Sequence, residues 1–163
     1  MEQAFDDYRN GVRPSGPGAR DLMAFFESVD GAQARTPAGA PAVATDQTVR
    51  GLLARRAKTL HIGAANYCWF TDPSKALCLK LAGRTDSAKP LAGLCDSARC
   101  PQATHHLAHR PVWAQQAQAT KVFIGGLSRR QDLERQRLTG ELDRIERVIA
   151  EIDVATSTTG EQQ

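Results

Sequence analysis

The sequence predicts a mainly α protein: a small helical chain with a partly irregular cysteine-rich middle and a long C-terminal helix. Three observations carry that expectation. Apolar residues recur at helical spacing in three separate stretches of the 163 residues. Aromatics are only 6% of the chain, beside 13 glycines and 8 prolines, so the packed core is expected to be modest and something else must hold the middle. Finally, all four cysteines fall between residues 68 and 100.

Taken in order, the opening residues to about Tyr8 are expected to form a short helix. It stops before Gly11-Val12-Arg13-Pro14-Ser15-Gly16-Pro17-Gly18, where glycine and proline disfavour regular structure and Gly16-Pro17-Gly18 reads as loop punctuation. A second helix is expected over 19–29, because Leu22, Phe25, Phe26 and Val29 stand at i, i+3, i+4, i+7, with Gly31 as its stop. Residues 34–44, with Pro37, Gly39 and Pro41, read as a small-residue linker. Thr45 or Asp46 can cap a third helix by accepting from its first free amides. Val49, Leu52, Leu53 and Leu60 form its apolar stripe, Arg56 interrupts the stripe at i+7 from Val49, and Gly63 ends it.

From Gln116 the chain reads as helical, broken at Gly125-Gly126 and continuing to about Ala155. Leu138, Leu142, Ile145, Ile149 and Ile152 alternate by four and three, the a/d pattern of a heptad seam. A seam barely two heptads long is marginal as an isolated dimer, so it either packs on the chain's own helices or joins a second copy or a partner. The expected organisation is residues 1–45 as helices and linker, 46–115 as a basic helix plus a cysteine/histidine minidomain, 116–155 as the coiled-coil-like helix, and 156–163 as a disordered tail.

The formal net charge is only +3, and the excess is central: residues 46–66 carry four basic residues against one acidic. Those four, Arg50, Arg55, Arg56 and Lys58, read either as a solvated helix face or as a phosphate-contacting one. The N-terminus lacks the positive and apolar regions of a signal peptide, and no run of 18 apolar residues occurs, so a cytoplasmic protein without a membrane segment is expected.

In a reducing compartment, four cysteines are metal ligands or plain thiols before they are disulfides. Their spacing, extended through the histidines, is C-x9-C-x16-C-x4-C-x4-H-H-x2-H. Zinc takes four nitrogen or sulfur ligands in a tetrahedron. Cys95 and Cys100 make a close pair, and a turn at Asp72-Pro73 followed by a helix can return Cys78 to Cys68. The expected ligands are therefore Cys68, Cys78, Cys95 and Cys100, with His105, His106 or His109 as replacements for one or two of them. Four thiolates would close the coordination sphere, which makes the zinc structural. Buried inert thiols and two disulfides are the alternatives. Either way a catalytic site is missing: no glutamate stands near the cluster, and no phosphate loop, dinucleotide fingerprint or nucleophile elbow occurs. The chain is expected not to be an enzyme.

The run Asn66-Tyr67-Cys68-Trp69-Phe70-Thr71-Asp72-Pro73-Ser74-Lys75-Ala76-Leu77-Cys78, followed by Cys95-Asp96-Ser97-Ala98-Arg99-Cys100-Pro101-Gln102-Ala103-Thr104-His105, resembles a cysteine-rich block of actinobacterial integrase-like and transposase-like proteins. In those proteins the block follows a tyrosine-recombinase-like catalytic region and precedes a helical tail. The resemblance covers about residues 66–110, and the catalytic parts do not carry over: His106 and Arg110 are four apart where the H-x-x-R motif needs three, and no tyrosine follows Tyr67. It implies a C-terminal accessory region of a mobile-element recombinase, with the metal-ligand role on the four cysteines and an association with DNA in the context of DNA integration. On that reading Arg50, Arg55, Arg56, Lys58, Arg99 and Arg110 contact the phosphate backbone, with Lys75, Lys80 and Arg84 as further candidates. The alternative is a protein–protein interaction module that uses the C-terminal helix to bind a recombinase or a second copy, with a purely structural zinc.

Overall fold

The computed structural model describes residues 1–34, 42–84 and 86–157. Among these the chain is mainly α, with six helices around a small antiparallel sheet. The helices are α1 (Glu2–Arg9), α2 (Ala19–Ala34), α3 (Ala42–Ala57), α4 (Leu77–Leu81), α5 (Arg110–Gly126) and α6 (Asp132–Ser157). The strands are β1 (Leu60–Ile62), β2 (Tyr67–Trp69) and β3 (Ala103–Thr104), in the order β1-β2-β3. Most of the 34–44 linker and the tail beyond Ser157 lie outside the described residues.

The helix boundaries differ from expectation at three places. Helix α2 runs through Gly31 to Ala34, since one helical glycine costs only about 1 kcal/mol against the burial of Leu22, Phe26 and Val29. Helix α3 begins at Ala42, ahead of Thr45 and Asp46. Helix α5 begins at Arg110 and not at Gln116, because Pro111 sits in its first turn, where a missing N–H removes no helical hydrogen bond. Leu60–Ile62, read as the end of the helix that Gly63 stops, instead pair with Tyr67–Trp69 in a hairpin in which Leu60 faces Trp69, His61 faces Cys68 and Ile62 faces Tyr67.

Strand alternation gives the sheet two unlike faces. Tyr67 and Trp69 point to one side, where Phe5, Leu22, Phe26, Val29 and Leu53 complete an aromatic-rich core under α1, α2 and α3. The rings of Phe5 and Tyr8 lie 5.5 and 5.3 Å from that of Phe26. This core spans the boundary drawn at residue 45 and joins the N-terminal helices to the basic helix and the sheet. On the other side, Cys68 and Phe70 meet Ala76, Cys78, Leu79 and Leu91 in a much smaller cluster.

The glycine-rich loop is packed tightly. Ser15 bridges His105 with both backbone hydrogen bonds at 2.9 Å, and the Gly18 amide donates to the Ala103 carbonyl at 2.8 Å. Gly16 has φ of 90°, and a Cβ there would stand 2.6 Å from His105 Nδ1, so only glycine fits.

The C-terminal helices form an antiparallel hairpin. Trp113 and Ala117 of α5 pack on Ile145, Val148 and Ile152 of α6, with Leu142 and Ile149 at the edge. The buried stripe of α6, Leu138, Ile145, Val148 and Ile152, is thus rotated from the heptad seam toward Val148. Arg110 forms a bidentate pair with Asp153 at 2.6 and 3.0 Å, and Lys121 meets Glu146 at 2.7 Å. Arg135 donates to the carbonyls of Ile124 and Leu127 at the end of α5, where Ile124 also accepts the Leu127 amide.

Candidate metal centre

The four cysteines arrive on four different pieces of chain. Cys68 sits mid-strand on β2, and Cys78 lies in the first turns of α4. Asp72 prepares α4 as foreseen: its carboxylate accepts from the Ser74 amide at 2.9 Å, capping a 3-10 turn over Pro73–Lys75. Cys95 follows a second 3-10 turn, Ala92–Leu94, and Cys100 closes the next turn, its amide donating to the Asp96 carbonyl at 3.0 Å. Gln102, buried beside Cys100, fastens these loops to the strand. Its side-chain oxygen accepts from the amides of Thr71 and Asp72, both at 2.8 Å, and its amide group donates to the Asp72 carbonyl at 3.0 Å.

All four cysteines line one cavity of about 620 Å³ between the sheet, the cysteine loops and the α5–α6 hairpin. Trp113 closes its far side and holds the β1–β2 turn by donating from Nε1 to the Ala65 carbonyl at 2.9 Å. Burial pushes the Cys68 thiol up to about 12, and the neighbouring Cys100, Cys95 and Cys78 add to the shift. Cys95 is raised by burial, and then by Cys100, Cys78 and Asp96. None of the four is in a disulfide. The Cys78 sulfur accepts the Leu91 amide at 3.4 Å, and Cys95 donates to Asn66 Oδ1 at 3.9 Å.

The donor set fits zinc in kind: four soft sulfurs converge from separate segments, and a divalent cation would relieve the mutual repulsion that opposes their ionisation. Among the described residues, however, no three His, Cys, Asp or Glu side chains are drawn together so that they could hold a metal ion as they stand.

His105, His106 and His109, the alternative ligands, do not line the cysteine cavity. His105 is fully buried, its Nε2 lies 3.3 Å from Ser97 Oγ, and its ring meets Trp113 edge-on at 5.3 Å. The rings of His106 and His109 lie 4.8 and 4.6 Å from Tyr67, on the sheet face opposite Cys68. For His106 the reason is the two-residue period of the strands, which a reading of cysteine spacing does not see; His105 falls on the Cys68 side by the same alternation, but it touches Trp113 and Ser97, which line the cavity, without lining it itself. The same period brings in a histidine that spacing missed. His61 pairs across the strands with Cys68 and lines the cavity. Its signal was present as the alternation of Leu60, His61 and Ile62 against Tyr67, Cys68 and Trp69.

The candidate phosphate contacts divide. Arg50, Arg55 and Lys58 are exposed on α3. Arg56 is half-buried, with its guanidinium 5.2 Å from the Phe25 ring and 5.9 Å from Trp69, and burial lowers its pKa. It covers the aromatic core, which explains a cation within an apolar stripe. Arg99 pairs with Asp96 at 2.7 Å, and Arg110 is held by Asp153. Lys75 and Arg84 face Asp72 and Asp86 at 4.0 and 3.8 Å. Among the described residues no helix is long and apolar enough to cross a membrane. No family model, no curated protein and no solved structure matches the chain.

Proposed function

We propose that this chain is a non-catalytic, zinc-stabilised module that associates with DNA in a mobile-element integrase or transposase system. The observation that carries the reading is the convergence of Cys68, Cys78, Cys95 and Cys100 on one cavity in a part of the fold with little apolar core. Zinc bound there by four thiolates supplies cross-linking of the four segments and leaves no open position for a substrate. Asn66 and the Leu91 amide orient the sulfurs of Cys95 and Cys78, and Gln102 holds the loop that follows Phe70 against the strand. The DNA reading rests on the resemblance of residues 66–110 and on the exposed Arg50, Arg55 and Lys58. Arg56 serves the core, and Arg99 and Arg110 reach phosphates only by giving up an acidic neighbour.

The alternative, a partner-binding module using Leu138, Leu142, Ile145, Ile149 and Ile152, has less to stand on, because Leu142, Ile145, Ile149 and Ile152 pack with Trp113 and Ala117 of α5 within the chain. Two measurements test the leading reading. Protein purified without a metal-affinity tag should carry about one zinc per chain, with its thiols protected until a chelator is added. Its binding to duplex DNA should weaken steeply from low to physiological salt and be reduced in an Arg50→Ala, Arg55→Ala, Lys58→Ala triple variant. Four freely reactive thiols without metal would remove the zinc reading, and absence of binding at low salt would remove the DNA reading.

A further inference from the structure

The cysteine cavity is lined by four thiols and an imidazole, one more than a tetrahedral metal takes, although no three of them are drawn together as the chain stands. His61 and Cys68 are directly opposed on adjacent strands. The flanking pairs are hydrogen-bonded, Gly63 N to Asn66 O at 2.9 Å and Phe70 N to Thr59 O at 2.8 Å. Bonded pairs recur every second residue in an antiparallel ladder, so His61 and Cys68 are also a bonded pair, with side chains side by side on one face about 5.5 Å apart at Cα. Phe70, on that same face, meets the His61 ring edge-on at 6.1 Å and limits its swing. The imidazole is half-buried on the cavity wall, and neither ring nitrogen has a hydrogen-bond partner among the described residues. The three histidines of the 105–109 segment, by contrast, each have a ring nitrogen engaged with Ser97, Thr104 or the His106 amide. Among the cysteines, Cys95 differs from the rest. It is the exposed one, at the cavity mouth, and its thiol is turned to Asn66.

We propose that His61 is a fifth donor of the cysteine centre and replaces Cys95, so that the site holds a soft divalent cation either with four sulfurs or with Cys68, Cys78, Cys100 and His61. This rests on the metal reading above and adds to it an exchangeable corner: the metal stays when the exposed thiol is withdrawn.

Cobalt(II) reports the ligand set directly, because replacing a thiolate by imidazole strengthens the ligand field and moves the visible d–d absorption to shorter wavelength. The probe is cobalt(II) added to the full-length metal-free protein. The wild type should bind about one cobalt per chain with a four-sulfur spectrum. Cys95→Ser should keep that stoichiometry with the absorption moved to shorter wavelength, and Cys95→Ser combined with His61→Ala should lose the tetrahedral absorption. His61→Ala alone should leave the wild-type spectrum unchanged. Far-ultraviolet circular dichroism of each variant checks that the α5–α6 hairpin persists, so that loss of metal is not loss of fold. If Cys95→Ser loses cobalt as completely as Cys68→Ser, or if the double variant keeps the spectrum of Cys95→Ser, His61 is not a ligand. If the wild type binds no cobalt, the metal reading itself fails.

Discussion

On one side of β2, Tyr67 and Trp69 meet three helices and an aromatic cluster; on the other, Cys68 and Phe70 meet one short helix, loops and a cavity. The same three-residue strand therefore serves two kinds of stabilisation. The first side buries Phe5, Leu22, Phe26, Val29 and Leu53, each 3% exposed or less, and closes by apolar burial. The cluster on the second side has Leu79 as its fully buried aliphatic side chain and is held by Gln102 and turn caps. A chain this poor in aromatics concentrates them on one face, and the cluster on the other keeps only Phe70.

If the contrast is right, the largest effect should come from the metal. Chelation should raise hydrogen exchange across residues 66–103 while α1, α2 and the α5–α6 hairpin stay protected, since a structural zinc supplies on the order of 10 kcal/mol to the segments it joins. Uniform protection with and without chelator would show the cysteine half to be self-sufficient. Next in size, Phe26→Ala should cost about 3–5 kcal/mol in urea denaturation, as expected for emptying a buried aromatic site, while leaving metal content unchanged. Equal loss of metal in that variant would mean that the two faces do not act separately.

A smaller effect joins the two faces through His105, which anchors the Ser15 bridge and packs on Trp113. Burial, with smaller contributions from His109 and His106, holds its pKa down at about 4. The unfolded chain takes up a proton on this residue below about 6.5, and the folded chain does so only near 4, so stability should fall as pH drops through that window, by at most about 3 kcal/mol. His105→Gln should flatten that part of the pH–stability curve relative to wild type. His106, which burial also holds down at about 4, acts in both proteins, so the difference between their slopes isolates His105; parallel curves would show that this group is not the source.

Much of the fold was legible locally. The i, i+3, i+4, i+7 spacing of Leu22, Phe25, Phe26 and Val29 marked α2, and Asp72-Pro73 marked the turn into α4, because a helix face and a capped turn are written within a few residues. The cysteines could be grouped by spacing, and all four do line one cavity. The histidines could not be assigned in that way. Proximity in sequence put His105, His106 and His109 with the cysteines, whereas His106 and His109 pack on Tyr67 on the far face, His105 packs on Trp113 and Ser97 outside the cavity lining, and strand pairing brought in His61, from 34 residues before Cys95. Arg56 looked like one more surface cation until Phe25 and Trp69 surrounded it.

By itself the sequence determined the helical class, the position of the main turns and the set of available donors, since each depends on residue type and short-range period. Only the tertiary structure decided which donors share a cavity, which cations remain free on the surface and whether the seam of α6 is spent inside the chain. Those outcomes depend on which face of a strand or helix meets which neighbour. A shift of one residue in a strand, or of Val148 for Ile149 in a helix, changes the answer without changing the composition.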